Sequence, residues 1–334
     1  MNWVSETGTT PCSTSPTGSE PGSTAIKRIL LCLLVVTAPS SGGAYETDQF
    51  TNRLEPIADS TDILNERVNQ TIRDITEHWR GPRDERKFVN SVFHAIGGHH
   101  WVDKLERWAM NSGEVERLKT PRRKSIYSGH PIWATRVAAL FGVGPTIKIN
   151  GVLVGSDKIG HFLSQGRKYY RRYLRKGDEA EAGEWSAYTE RAIFGQMTTG
   201  SYSNADLVAN YEGYVFYRSL FEDNIIPGKP AIVRWEAGKW VVQRPFDWAD
   251  HVNAYWDEAL NINHYDKLLY GHMHDRLLGF CEDYYRQPSS YEIKNEARLE
   301  KRYAHLELRK TSELRLPNLC PAPPGSEKAV TAHR

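Results

Sequence analysis

Charge of one sign, long apolar runs and thiols are all in short supply in this chain. Its 334 residues carry 43 Lys and Arg against 41 Asp and Glu, a formal net charge of +2. So small a basic excess argues against nucleic acid as a partner, because such binders present a clearly basic surface. The apolar stretch Ile29-Leu30-Leu31-Cys32-Leu33-Leu34-Val35-Val36 falls well short of the roughly 20 residues that a membrane-spanning helix needs. Glycine-rich phosphate loops of the Walker or dinucleotide type are missing, and so is Gly-x-Ser-x-Gly, which argues against nucleotide and serine-hydrolase chemistry. No internal repeat is evident. What the chain does have is aromatic mass, with 10 Trp, 17 Tyr and 10 Phe. That is enough for a substantial core and argues against disorder of the whole chain.

The N-terminal part reads as a leader and signal peptide over residues 1–44. Lys27-Arg28 precedes the apolar stretch, and Ser41-Gly42-Gly43-Ala44 follows it, the basic, apolar, small-residue order of a secretory signal. Residues 1–25 are long for the basic region of such a signal, and a later start codon would account for them. Leu31 is too large to precede a lipidated Cys32. The expected setting is therefore export to the periplasm or cell envelope. Cleavage near Ala44 removes Cys12 and Cys32 and leaves Cys281 and Cys320. In an oxidising compartment these two are expected to form one disulfide. By chain entropy, closing a loop of roughly 40 residues contributes about 3–4 kcal/mol.

The remainder is expected to be mainly α, a single helical domain with two small β-hairpins over residues 45–316, followed by a Pro-rich, loose tail over 317–334. Ile63, Leu64, Val68, Ile72 and Ile75 recur at helical spacing until Gly81-Pro82 breaks the pattern. Further helices are expected over 85–94, 101–111, 131–141, 157–176, 184–197, 204–222, 248–259 and 267–285, with a charged terminal helix lying on the surface over 291–314. Asn150-Gly151 and Ala237-Gly238 mark the two hairpin turns. Ser156 and Ser203 are expected to cap the helices that follow them.

Two of those helices carry the sharpest functional signal. Asp157 with His161, and Asp206 with Asn210, are each four residues apart, which places both members of a pair on one helix face. Glu190 lies between them in sequence. Carboxylate and imidazole on one helix, facing carboxylate and carboxamide on another, suit a divalent cation or proton transfer. Asp157, His161 and Asp206 would hold zinc or manganese better than calcium, which takes oxygen ligands only. His161 and Glu190 are the catalytic candidates, with Glu190 as general base, and Asn210 would position the substrate. The same residues also fit structural work. Ser203 and Asp206 match a helix-capping arrangement, and Asp157 and Asn210 could be buried pins that fix helix register.

The order Asp157-Lys158-x-x-His161-Phe162, then Glu190, then Asp206-x-x-Ala209-Asn210-x-x-Gly213 resembles the pattern of VanZ-like proteins and of the small envelope proteins of the YfiM type. The resemblance covers about residues 155–220. It implies an envelope setting and a shared polar site rather than a particular reaction. VanZ-like proteins span the membrane, whereas residues 167–176 here are too polar to do so, and Ile193 stands where the family often has glutamine.

Two further clusters lie apart from this pattern. His264, His272, His274 and their neighbouring acids, with His99 and His100, form a second histidine group, but His272 and His274 are two apart and point to different sides of a helix. Residues 167–176 interleave Arg and Lys with Tyr, suiting peripheral contact with anionic lipid or a cell-wall polymer. The more ordinary arrangement has the tyrosines inward and the basic stems outward. The function expected is a metal-assisted or acid–base hydrolase acting on an envelope lipid or glycan. Its rival is a non-catalytic envelope module that uses the same polar residues to lock its helices together.

Overall fold

The computed structural model describes residues 44–98, 102–130, 142–180, 183–184 and 200–321. The helix expected over 131–141, nearly all of that over 184–197, and Glu190, His99 and His100 lie outside the described residues.

Strand β1 (Ala44–Thr47) begins the described chain. Helix α1 (Thr61–Glu77) buries Leu64, Val68 and Ile72, a stripe four residues apart along one face. In α2 (Glu85–Ile96) the Asp84 carboxylate accepts from the Lys87 N–H, and Phe88, Val89, Val92, Phe93 and Ile96 are buried. Helix α3 (Lys104–Asn111) follows. Strand β2 (Gly142–Gly144) returns to pair in parallel with β1. Strands β3 (Thr146–Ile149) and β4 (Val152–Gly155) form the first hairpin. Asn150 and Gly151 take φ of 52° and 75°, the left-handed pair that a two-residue turn of this hand requires.

Residues 157–176 form one nearly continuous rod. It starts as α4 (Asp157–Gly160), widens into a π turn (His161–Gln165) and resumes as α5 (Gly166–Lys176). In the π turn the Gly166 N–H reaches the His161 carbonyl five residues back, so the extra residue falls just after the imidazole. Gly177, at φ 70°, ends the rod. Strand β5 (Ser201–Tyr202) leads into α6 (Asn204–Ser219), which the Ser203 side chain caps by accepting the Asp206 N–H. Helix α6 is buried on nearly every face and forms the centre of the domain. Strands β6 (Val233–Glu236) and β7 (Lys239–Val242) make the second hairpin. Strand β8 (His264–Tyr265) pairs with β5, and α7 (Lys267–Leu278), α8 (Cys281–Arg286), α9 (Glu296–Arg302) and α10 (Leu316–Leu319) complete the described chain.

The expected class stands: a mainly α fold with both hairpins, to which the β1–β2 and β5–β8 pairings are added. Phe162, in the π turn, anchors the core, with ring centroids 4.7 Å from Trp248, 5.3 Å from Phe216 and 5.8 Å from Trp256. Cys281 and Cys320 are bonded, with Cα atoms 5.5 Å apart.

Four local expectations are corrected. The stretch 248–259 contains only two 3₁₀ turns, Trp248–Asp250 and Ala254–Trp256. The side chains of Asp247 and Asn253 accept the N–H groups of Ala249 and Tyr255, and such local bonds compete with a continuing helix. The helix expected over 267–285 is two helices, with Gly279 and Phe280 between them. The long surface helix expected over 291–314 is confined to α9: Asn295 is left-handed at φ 60° just before it, and beyond Arg302 the mostly exposed chain is pinned to the core at a few residues. Tyr303 and Leu314 are buried, and the Arg309 backbone is held at both N–H and C=O by the Asn204 side chain. Ser156 precedes α4 but makes no side-chain cap, its hydroxyl pointing into a buried position without a hydrogen-bond partner among the described residues.

Candidate functional site

The rod of residues 157–176 crosses α6 at two glycines. A Cβ placed on Gly166 would lie 2.5 Å from the Gly213 Cα, and one on Gly213 would collide with the Phe162 carbonyl. Backbone-to-backbone approach of this kind requires glycine on both sides. It also brings the faces bearing Asp157 and His161 against the face bearing Asp206 and Asn210.

The centre of the resulting cluster is Lys158, which is 1 % exposed. Its ammonium lies 2.7 Å from Asp157 Oδ2, 2.6 Å from Asp206 Oδ1 and 2.7 Å from Glu258 Oε1. Burial alone would lower the lysine pKa. The three carboxylates outweigh it and hold the group well above the ordinary lysine range, so it is always charged. Asp206 shows the reciprocal balance: burial pushes it up, but His161 and Lys158 together hold it below the usual carboxylate value.

Each aspartate gives one oxygen to Lys158 and turns the other outward. Asp157 Oδ1 accepts from the Thr47 hydroxyl at 3.4 Å. Asp206 Oδ2 faces His161 Nε2 at 3.2 Å. On the far side of the ring, His161 Nδ1–H donates to Asn210 Oδ1 at 3.0 Å. An amide oxygen only accepts, so Nδ1 is protonated, and Nε2 meets Asp206 either as a second N–H or as a lone pair. The first state is an imidazolium–carboxylate pair. The second is a metal-ligating imidazole with its other nitrogen fixed by an outer partner. One ligand atom each from Asp157, His161 and Asp206 falls within 4.8 Å of the others. The His161 side chain is 20 % exposed, which leaves this edge open, while Lys158 closes the inner one.

More acid stands behind the cluster than one lysine neutralises. Burial, with the Asp157 and Asp206 charges, raises Glu258 to about 7 despite its contact with Lys158. Its Oε1 accepts from the Ser203 hydroxyl at 3.1 Å, while Oε2 has no hydrogen-bond partner among the described residues. On α3, Glu106 Oε2 accepts the Asp103 N–H at 3.3 Å and occupies the space where a side chain at residue 160 would be. Burial, then the Asp157 and Asp103 charges, push Glu106 well above its normal range. Burial raises Asp103 to about 7, against the pull of the Ser164 hydroxyl and Lys168.

Of the expected site residues, Asp157, His161, Asp206 and Asn210 are brought together, and Glu190 lies outside the described residues. Lys158 belonged to the sequence pattern without an assigned role, yet it is the hub. Glu258 carried no local signal. Glu106 did leave a trace, since Asp103-x-x-Glu106 has the spacing of a capping box.

A second buried carboxylate on α6 is more fully partnered. Glu212, fully buried, receives Arg302 at 2.7 Å, the Tyr303 hydroxyl at 2.7 Å and His251 Nδ1 at 3.2 Å. Both of its oxygens are engaged by these donors. Among the described residues, no helix is long and apolar enough to cross a membrane. No protein-family model, curated protein or solved structure matches this chain.

Proposed function

We propose that this chain is an exported cell-envelope protein of the VanZ-like or YfiM kind, a hydrolase in which Asp157, His161 and Asp206 take a divalent zinc or manganese ion. One observation carries this reading: two carboxylates and an imidazole present ligand atoms within 4.8 Å of one another at a partly open edge. The donor set of two oxygens and one nitrogen suits either metal. A bound ion would lower the pKa of water and polarise the bond under attack. The protein's own part is to hold the ring through Asn210, to anchor both aspartates on Lys158, and to supply Glu190 as the base. The substrate class is an envelope lipid or glycan. Support for export comes from the leader pattern and from the Cys281–Cys320 bond, which suits an oxidising compartment. On α5, Arg171, Leu174, Arg175 and Lys176 are exposed, while Tyr169 and Tyr170 are buried. This face would rest on anionic headgroups.

The test is elemental analysis of protein purified without chelator, followed by zinc and manganese titration of wild type and His161→Ala. Folded, metal-free protein with no affinity for either ion ends the cation reading. A second reading draws on Lys158 itself. A buried lysine joining three segments is what a helix-locking envelope module would use, with no chemistry at all.

A further inference from the structure

Among the described residues of the histidine group around 264–275, one member joins a different cluster. His274 turns to Asp275 at 3.2 Å on the surface. His272 packs instead on His130, with ring centroids 4.5 Å apart at 73°. His130 Nε2 lies 3.0 Å from the sulfur of Met273, itself fully buried. The His272 Nε2–H donates to the Ser128 carbonyl at 3.0 Å, which leaves Nδ1 as the ligand atom of the neutral ring. His130 is 9 % exposed, and its Nδ1 has no hydrogen-bond partner among the described residues.

We propose that His130, His272 and Met273 form a binding site for a soft monovalent ion, Cu(I) or its analogue Ag(I). Two imidazoles and a thioether are neutral ligands, and the thioether selects Cu(I) over hard cations. Arg122 and Arg276 both act on His130 electrostatically, which penalises a divalent ion more than a monovalent one. The Ser128 carbonyl is the outer partner that fixes the His272 tautomer. His272 is half-buried and gives the ion an edge to enter by. Methionine, unbranched and flexible, can swing its sulfur to admit the ion between itself and His130. This site shares no residue with the Asp157–His161–Asp206 group.

The full chain carrying Cys12→Ser and Cys32→Ser is the material to use, because free thiolates would outcompete a thioether. Calorimetric Ag(I) titration should show one ion per chain. Anaerobic Cu(I) competition against a chromophoric chelator should then show at least a tenfold loss of affinity in both Met273→Leu and His272→Gln. Zinc binding elsewhere should be unchanged. Copper K-edge absorption on the loaded Cys12→Ser, Cys32→Ser chain should show a sulfur neighbour, a reading that holds even if a ligand variant misfolds. An absent sulfur neighbour, no Ag(I) binding, or a folded Met273→Leu chain that binds as tightly as wild type would overturn the site.

Discussion

Gly213 on α6 sits directly beneath the Phe162 carbonyl of the π turn, with no room between them for a Cβ. This contact sets the spacing of the two helices that carry His161 and Asp206. Gly213→Ala places a methyl group against backbone, which cannot rotate away as a side chain would. The expected cost is about 3 kcal/mol or more, at the top of the range for overpacked interiors. Urea unfolding of the variant measures it. A cost within a few tenths of a kcal/mol would mean that the helices part freely, and that the site is not held by this crossing.

Lys158→Met keeps the stem's volume and removes the charge that Asp157, Asp206 and Glu258 share. Stripping one partner from a buried ionic cluster costs about 3–5 kcal/mol. That deficit should be largest at pH 8 and shrink toward pH 5, because the stranded carboxylates recover by taking up protons. Adding Glu258→Gln should restore part of the loss. Denaturant midpoints at the two pH values decide the matter, and a pH-independent deficit would count against carboxylate repulsion as its cause.

Asp103 supplies a cleaner pH signature. Its folded pKa, about 7, stands above the ordinary aspartate value of 3.8, so between these values the native state holds a proton that the unfolded chain has released. The sign follows: this contribution to stability is complete below the unfolded value and fades as pH rises through 7. Glu258, also raised to about 7, acts in the same sense. His130, lowered to about 3 by burial and by neighbouring cations, acts in the opposite sense below its ordinary value. Asp103→Asn isolates the first effect. Relative to wild type, the variant should lose ground steadily as pH falls from 8 to 5, as followed by thermal unfolding at each pH. A flat difference would show that Asp103 is already ionised in the folded protein.

Local chemistry made part of this legible in advance. Ser203 announces its helix because a hydroxyl at that position satisfies the free Asp206 N–H. Asn150-Gly151 announces its turn because both residues tolerate positive φ. The spacing of Asp157 with His161 and of Asp206 with Asn210 placed four groups on two faces. Nothing local could disclose that Glu258, from a stretch patterned like a helix, would close the third side of Lys158. Nor could charge patterning show that the mostly exposed residues 303–314 are tied to the core at separate points, Tyr303 by Glu212 and residue 309 by Asn204. Those are pairings across roughly 90 to 105 residues, where periodicity carries no information.

Asn210 separates a metal-ligating His161 from an imidazole that only pairs with Asp206. If the ring is a ligand, the Asn210 oxygen fixes its tautomer and orientation, and losing such an outer partner typically costs 10- to 100-fold in metal affinity. Asn210→Leu keeps the buried volume and removes the acceptor. In wild type, zinc at about 100 times its dissociation constant should stabilise the fold by about 2.7 kcal/mol through mass action. In Asn210→Leu the same zinc concentration should stabilise it far less, and in His161→Ala or Asp206→Asn not at all. Thermal unfolding with and without zinc reads all four proteins. If Asn210→Leu responds to zinc as strongly as wild type, the imidazole is not oriented by that amide. If His161→Ala does so, the ion is held somewhere other than between these two helices.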